Sequence, residues 1–306
     1  MTLNERISSL TQMPEGDVKS SAASPSRQGH CLRFRLHSDA NLEYEIFVSI
    51  PRQAAPSEGF PVLYMLDANA DFALVVQVLE RLTRRPEATG VEPAIIVGIG
   101  YPETEDYNQE RRHLDFTAGT TDDAFYEGTS FTFGGQEAFV AFIRDRLKPV
   151  IRSYFPVRSE YETILGHSLG GYFVVEQAMT RPKLFSSYIA VSPSIWWDSE
   201  RIFSHLANRP ASPQRPIRLF LAAGGWETEP APWQRLETPE RTREHARLRQ
   251  RRRMNGNIDL LSECCRKAYP DSVTLRTERI ADEDHSSIYV ACLPRALRFA
   301  LPASVK

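Results

Sequence analysis

Apolar and polar residues follow two different periods along the chain, and the switch between them predicts the order of strands and helices. Residues 30–37 and 43–50 alternate apolar and polar side chains, which predicts an antiparallel pair of half-buried strands. Short, uninterrupted apolar runs follow at 60–66 and 93–100, as is typical of parallel strands that are buried on both faces. Between these runs, residues 71–85 have apolar side chains at helical spacing.

The alternation of strand and helix continues to the end of the chain. Further strands are predicted at 161–167, 185–193, 217–224 and 271–280, and further helices at 137–155, 170–180 and 286–300. Strands that alternate with helices form βαβ units. We therefore expect an α/β fold with a mostly parallel central sheet of about eight strands and helices on both faces. Pro149 is expected to kink the helix in which it lies.

The first 29 residues are rich in Ser, Pro and polar groups and are predicted to form a flexible N-terminal leader. Residues 30–306 are predicted to form a single domain, because 42% hydrophobic residues suffice for one large core. Loop or cap insertions are expected around 101–134 and 225–257, the least regular stretches. Both follow the C-terminal ends of strands, where open α/β sheets build their sites.

Composition excludes several classes of protein. The 37 basic and 39 acidic residues nearly balance, so no global charge favours nucleic acid or an anionic membrane. With no apolar segment typical of a secretory signal or a membrane span, we expect a cytoplasmic protein. The four cysteines have neither disulfide nor zinc spacing, and no metal or cofactor motif is present, so none is predicted.

One basic segment permits two interpretations. Residues 241–253 contain seven arginines in thirteen positions. The simpler interpretation is a solvated helix that is partly balanced by neighbouring glutamates. The alternative is a basic rim near a binding site that attracts an anionic ligand.

The clearest chemical motif is Gly166-His167-Ser168-Leu169-Gly170, between an apolar strand and a helix. A strand-to-helix turn this tight strains the central residue and leaves no room for side chains at the flanking glycines. It presents the Ser168 hydroxyl at a helix N-terminus, where the dipole favours developing negative charge. Ser168 is therefore the predicted nucleophile.

A serine hydroxyl requires a base within hydrogen-bond reach. Of seven histidines, His285 alone follows the last predicted strand, where the order nucleophile, acid, base places it. His167 precedes the nucleophile, and its side chain is expected to point away from Ser168. The predicted base is therefore His285.

The acid of such a site should follow the strand before the last one. Glu227 lies three residues beyond the strand at 217–224 and is the preferred candidate, with Glu229 as the second choice. Asp282 and Asp284, beside His285, are more distant alternatives. A Ser–His pair that works without an acid stays open.

Two backbone N–H groups are expected to bind the developing oxyanion. One belongs to Leu169, the residue after the nucleophile. The other is expected in the turn at 67–69, with Ala68 preferred. Trp196 and Trp197 either wall a pocket for aromatic acyl groups or simply belong to the core.

These residues resemble the esterase-D and ferric-siderophore esterase branch of the α/β-hydrolases. The resemblance runs from about residue 60 to the C-terminus. Its motifs are YMLDANADF (64–72), IVGIGYP (96–102), RRHLDFT (111–117), GHSLGGYF (166–173), SPSIWW (192–197), GGWETE (224–229) and DEDHSS (282–287). It implies the α/β-hydrolase fold.

The resemblance also implies a substrate and one further site residue. The substrates of this branch are macrocyclic triesters of hydroxy acids that bear catechols, and ester hydrolysis weakens their hold on iron. Arg112 matches the arginine that contacts the anionic ligand. The expected partner is thus a small-molecule ester, such as an anionic ferric siderophore. A general esterase for S-formylglutathione, feruloyl or acetyl esters is the alternative, and a non-catalytic binding protein is a third possibility.

Overall fold

The computed structural model describes most of the chain. It covers five stretches: 30–103, 105–122, 126–208, 216–234 and 238–303. The polar leader predicted over 1–29 lies outside the described residues. No helix among the described residues is long and apolar enough to cross a membrane.

The strands of the described chain form one sheet. They are β1 (His30–His37), β2 (Glu43–Ile50), β3 (Phe60–Met65), β4 (Ile95–Gly100), β5 (Val157–His167), β6 (Ser187–Val191), β7 (Ile217–Gly224) and β8 (Val273–Ile280). Their order is β1-β2-β4-β3-β5-β6-β7-β8. β1 pairs antiparallel with β2, and β2 with β4. β3 pairs parallel with β4, and β6, β7 and β8 pair parallel with one another.

Helices separate most of the strands. The α-helices are α1 (Ala68–Leu82), α2 (Pro86–Thr89), α3 (Gln109–Phe116), α4 (Gln136–Ala141), α5 (Lys148–Tyr154), α6 (Leu169–Thr180), α7 (Ser199–Ala207), α8 (Pro239–Arg252), α9 (Met254–Ala268) and α10 (Ser287–Ala300). The predicted α/β fold with a mostly parallel sheet of about eight strands is confirmed.

Two stretches that the sequence marks as irregular contain regular helices. In 101–134, α3 begins where the Asn108 side chain accepts a hydrogen bond from the Arg111 N–H at 2.9 Å. In 225–257, α8 begins with Thr238 as its N-cap and Pro239 in its first turn. Both helices are rich in charged residues. They therefore have too few apolar residues at helical spacing to be predicted from periodicity, although their caps are recognisable in the sequence.

The helix predicted over 137–155 has an irregular middle. A π-helical segment, Phe142–Leu147, separates α4 from α5. Pro149 lies in the first turn of α5. Because proline has no N–H to donate, the carbonyl one turn earlier loses its usual partner, and wider hydrogen bonding before the proline accommodates this loss.

The chain divides into two compact units. Of the described residues, the first unit contains those in 30–119, 130–164 and 301–303, and the second those in 120–129 and 165–300. In the first unit β3 and β4 are buried along their whole length. In the second unit β6 and almost all of β7 are buried in the same way. The single domain expected for 30–306 stays a prediction.

Candidate active site

Ser168 lies in the turn between β5 and α6, in a backbone conformation that residues with side chains rarely adopt. Its φ is 57° and its ψ is −117°. Its N–H donates to the Val191 carbonyl at 3.0 Å, and its own carbonyl accepts from the Ser194 N–H at 3.0 Å. A Cβ at Gly166 would collide with the carbonyl group of Gly170, so this approach requires glycine. The neighbouring backbone thus holds Ser168 in a strained turn.

The His285 ring lies within hydrogen-bond distance of the Ser168 hydroxyl. Nε2 of His285 is 3.0 Å from Oγ of Ser168. The histidine lies in the loop between β8 and α10, and 42% of its side chain is exposed. The Ser168 hydroxyl also lies 3.4 Å from the hydroxyl of Ser194. An imidazole at this distance can take the hydroxyl proton when the serine attacks.

Glu227 contacts the other nitrogen of the same ring. Its Oε2 is 2.8 Å from Nδ1 of His285, and its side chain is almost completely buried. Its Oε1 accepts hydrogen bonds from the Gly224 N–H at 2.7 Å and from the Ser192 hydroxyl at 2.5 Å. With both oxygens bonded, the carboxylate has one fixed orientation. That orientation places the Nδ1 proton on the Glu227 side and leaves Nε2 as the acceptor toward Ser168.

The loops that carry Glu227 and His285 are in direct contact. The Trp226 N–H donates to the Glu283 carbonyl at 3.0 Å. A Cβ at Gly224 would collide with the backbone of Glu283 and Asp284, so glycine permits the two loops to approach closely. The distance between Glu227 and His285 is therefore fixed by backbone contacts as well as by the side chains.

Comparison with known proteins identifies the family to which this site belongs. A family model described as "Putative esterase" matches residues 38–260, well over half of the chain. The chain belongs to this esterase family.

Its relatives include enzymes that are named for siderophore esters. The esterase is 37% identical over 279 residues to the ferri-bacillibactin esterase BesA of Bacillus subtilis, with 88% of this chain and 89% of that protein aligned. It is 30% identical over 278 residues to the siderophore triacetylfusarinine C esterase of Aspergillus fumigatus, with 87% and 91% aligned. The resemblance to the ferric-siderophore esterase branch is confirmed.

A solved structure agrees with this assignment. The siderophore hydrolase EstB from Aspergillus nidulans superposes on the esterase with a TM-score of 0.77. The two sequences are 27% identical, and the alignment covers 92% of this chain and 98% of that one.

The other acid candidates of the esterase lie away from the imidazole nitrogens. Glu229 is exposed, and its backbone carbonyl accepts a hydrogen bond from Arg249 at 2.8 Å. Asp282 is exposed as well. Asp284 instead accepts the backbone N–H groups of Ser286 and Ser287, at 2.9 and 3.0 Å. Within the described residues, Glu227 is the carboxylate in contact with His285.

Three side chains at this site are given no catalytic role by the sequence interpretation. Ser192 fixes Glu227, and Ser194 lies beside the Ser168 hydroxyl. His167 places Nε2 2.8 Å from the His285 carbonyl oxygen, with the two rings 4.8 Å apart. Both serines follow the C-terminal end of β6, and that position, where α/β sheets build their sites, could have revealed them.

The two predicted oxyanion donors each lie at the start of a helix. Leu169 is the first residue of α6, so its N–H has no acceptor inside that helix. Ala68 is the first residue of α1, directly after Asp67, whose φ is 54°. A role for Ala68 as the second donor stays a prediction.

Arg112 has a partner that the sequence interpretation did not anticipate. Its Nε lies 2.7 Å and its Nη2 3.1 Å from the two carboxylate oxygens of Asp67. Only 9% of its side chain is exposed. Its guanidinium also faces the rings of Tyr107 and Phe116, at 5.1 and 5.7 Å. The charge of Arg112 is thus already matched by Asp67, and a contact between Arg112 and an anionic ligand stays a prediction.

The two tryptophans differ in exposure. Trp197 is 2% exposed, and its ring meets the Tyr126 ring edge-on at 4.9 Å, so it belongs to the core. Trp196 is partly exposed, between the Tyr126 ring at 6.2 Å and the Arg252 guanidinium at 4.0 Å. Of the pair, only Trp196 has exposed surface, and its contact with a substrate stays a prediction.

Among the described residues, no cluster of three or more His, Cys, Asp or Glu side chains could hold a metal ion.

Proposed function

We propose that the chain is a serine esterase that cleaves the ester backbone of a siderophore, with Ser168 as nucleophile, His285 as base and Glu227 as the acid that orients it. The continuous contact from Glu227 through His285 to Ser168, at 2.8 and 3.0 Å, supports this proposal most directly. The names of the two aligned relatives support the class of ester.

The first half of the reaction uses each group once. Oγ of Ser168 attacks the ester carbonyl carbon while its proton moves to Nε2 of His285. The Glu227 carboxylate stabilises the imidazolium that forms. The Leu169 N–H, at the positive end of α6, donates to the oxyanion. As the intermediate collapses, His285 returns the proton to the leaving alkoxide, and an acyl group remains on Ser168.

The second half reverses the roles. A water molecule gives a proton to His285 and attacks the acyl carbonyl, and Ser168 regains its proton when it leaves. The net result is one ester bond exchanged for a hydroxyl and a carboxylic acid. The first cut opens the ring of a cyclic ester and further cuts separate its metal-binding arms, which lowers the affinity for iron.

The positive charge of α8 would also attract an anionic ferric siderophore. Four arginines of α8 and the one that follows it are exposed: Arg241, Arg243, Arg247, Arg251 and Arg253. Exposed charges of this kind act at a distance and raise the rate of encounter, and added salt screens them. We therefore expect kcat/KM for an anionic ester to fall with salt more steeply than kcat/KM for a neutral ester.

A hydrolysis panel tests the proposal. It compares ferri-bacillibactin, ferric triacetylfusarinine C, their iron-free forms and a neutral p-nitrophenyl ester, with products followed by mass spectrometry. We expect kcat/KM for at least one siderophore to exceed that for the p-nitrophenyl ester by about 100-fold or more, since binding energy from remote groups raises specificity. A preference for the simple ester would favour the general esterase instead.

A further inference from the structure

One arginine of α8 is turned inward toward the catalytic loops. Arg249 is partly buried, whereas Arg247, two residues earlier, is exposed. The Arg249 guanidinium donates to the Trp226 carbonyl at 3.3 Å and the Glu229 carbonyl at 2.8 Å. These two carbonyls lie on either side of Glu227. Arg249 also donates to Oε1 of Gln234 at 2.7 Å.

Gln234 links Arg249 to the loop that carries His285. Its Oε1 accepts from the Ala231 N–H at 3.1 Å in addition to Arg249, and its Nε2 donates to Oδ2 of Asp284 at 2.9 Å. The opposite amide orientation would point an NH₂ group at two donors and an oxygen at a carboxylate. One orientation alone therefore satisfies all three partners.

Asp284 is the residue before His285 and fixes the backbone there. Oδ1 accepts from the N–H groups of Ser286 and Ser287, and the Asp284 N–H donates to the Ser287 hydroxyl at 3.0 Å. Partial burial acts to raise the pKa of Asp284, but these hydrogen bonds outweigh it and lower the pKa, so the group is a carboxylate at neutral pH.

We propose that Arg249 is a positioning residue that, through Gln234 and Asp284, fixes the loops of Glu227 and His285 relative to each other. We call these three side chains the Arg249 bridge. The inference rests on the proposed function, since it concerns the alignment of the same catalytic groups. Arg249 touches none of the reacting atoms and is bonded to the loop that carries Glu227.

The chemistry of a guanidinium suits this role. It stays charged at any working pH and presents several donors in one plane, so it can join two carbonyls and an amide at fixed angles. Burial acts to lower the pKa of Arg249, while the negative charges of Asp284 and Glu227 act to raise it. The backbone bond from Trp226 to Glu283 remains when Arg249 is replaced, so the loops should stay folded but become less exactly aligned.

The test uses Arg249→Met, Arg249→Lys and Gln234→Met in the full chain, with Arg247→Met as the matched control on the exposed face of α8. The substrate is a neutral p-nitrophenyl ester, so that screening of an anionic substrate does not contribute. We expect Arg249→Met and Gln234→Met each to lower kcat about 10-fold with KM within twofold of wild type, because small misalignments of catalytic groups reduce rate. Arg249→Lys should recover part of the loss, and Arg247→Met should change neither constant.

A double-mutant cycle separates alignment from general support of the fold. In a Glu227→Gln background, where the ring has lost its charged partner, Arg249→Met should lower the remaining kcat less than twofold, since residues that act as one unit are not additive. The same 10-fold loss in that background would overturn the proposal. So would a wild-type kcat in both Arg249→Met and Gln234→Met.

The outcome also distinguishes this inference from the proposed function. An inactive wild type, or an active Ser168→Ala variant, would contradict the function and the inference together. An active wild type that depends on Ser168 but not on the Arg249 bridge would contradict the inference alone.

Discussion

Two buried carboxylates of this esterase have different partners, and the difference separates the proposed catalytic acid from a carboxylate that is paired with an arginine. Glu227 and Asp67 are 3% and 4% exposed. Glu227 contacts His285, whose side chain is 42% exposed and whose second nitrogen reaches Ser168. Asp67 contacts Arg112 with both oxygens, and that guanidinium is almost as buried as the carboxylate.

The partners differ in what they can do with a proton. An imidazole gains and loses a proton near neutral pH, whereas a guanidinium keeps its charge. The carboxylate beside the imidazole can therefore support a charge that appears during a reaction. The carboxylate beside the guanidinium is paired with a charge that does not change. Burial and pairing alone do not identify a catalytic acid.

The largest expected effect on activity comes from removing the proposed nucleophile or the proposed base. Ser168→Ala and His285→Ala should each lower kcat about 10⁴- to 10⁶-fold, and the double variant should be scarcely slower than either. Melting temperature should change little, because neither side chain supports the core. His245→Ala, which removes an exposed imidazole from α8, is the control and should keep full activity. Normal turnover by pure Ser168→Ala protein would refute the assignment.

Loss of the acid's charge should have the next largest effect. Glu227→Gln keeps the shape of the side chain but cannot stabilise the imidazolium, so we expect kcat to fall about 10²- to 10⁴-fold. Glu229→Gln, at an exposed position two residues later, is the matched control and should lower kcat less than about twofold. Steady-state kinetics on one ester measure both. Equal activity in the two variants would indicate a Ser–His pair that needs no acid.

The Asp67–Arg112 pair should affect stability rather than charge selectivity. Arg112→Met leaves a buried carboxylate unpaired, so urea denaturation should show a loss of about 3–5 kcal/mol in the free energy of unfolding. The ratio of KM for an anionic ester to KM for a neutral ester should stay within twofold of wild type.

An exposed ion pair provides the control for that result. The Arg243–Glu240 pair has side chains that are 61% and 73% exposed, and Arg243→Met should cost less than about 1 kcal/mol. A selective rise in KM for the anionic ester in Arg112→Met would instead support the role in ligand binding that the sequence motif suggested.

A third carboxylate, Asp115, lies beside Arg111 in α3. We expect it to have a smaller effect on stability, and one that depends on pH. Burial raises the pKa of Asp115 to about 6, although Arg111 acts to lower it. The folded chain therefore holds this proton more tightly than the unfolded chain, whose Asp pKa is about 3.9. Asp115 therefore contributes to the stability of the folded chain below about pH 4, and this contribution is lost as the pH rises toward 6. Relative to wild type, Asp115→Asn should gain about 2 kcal/mol between pH 4 and 7. Urea denaturation at both pH values measures this, and parallel pH profiles would contradict it.

The sequence was sufficient for the parts of the site that depend on local geometry. The tight turn at Gly166–Gly170 could be predicted because a side chain at Gly166 would collide with the carbonyl of Gly170. The positions of Glu227 and His285 follow from chain order in a βαβ fold, and in the structure Glu227 contacts His285, which in turn contacts Ser168. Apolar periodicity also placed the strands to within a few residues, because buried strands of a parallel sheet are continuous apolar runs.

The sequence was insufficient where a role depends on the partner of a charged group. Arg112 lies 45 residues from Asp67 along the chain, and nothing local shows that the pair forms. The arginine run likewise looks uniform, yet Arg249 is turned inward and Arg247 is exposed. A charged helix has little apolar pattern to mark its inner face, so its orientation becomes clear only from its contacts.

Covalent labelling tests the central claim most directly. The esterase is treated with a fluorophosphonate, digested, and mapped by tandem mass spectrometry, alongside Ser168→Ala, His285→Ala and Glu227→Gln. We expect one stoichiometric adduct on Ser168 in the wild type, none in Ser168→Ala, and labelling slowed about 100-fold or more in His285→Ala, because the hydroxyl needs its base to react. Labelling at another residue, or an unlabelled Ser168 in protein that still hydrolyses esters, would contradict the account.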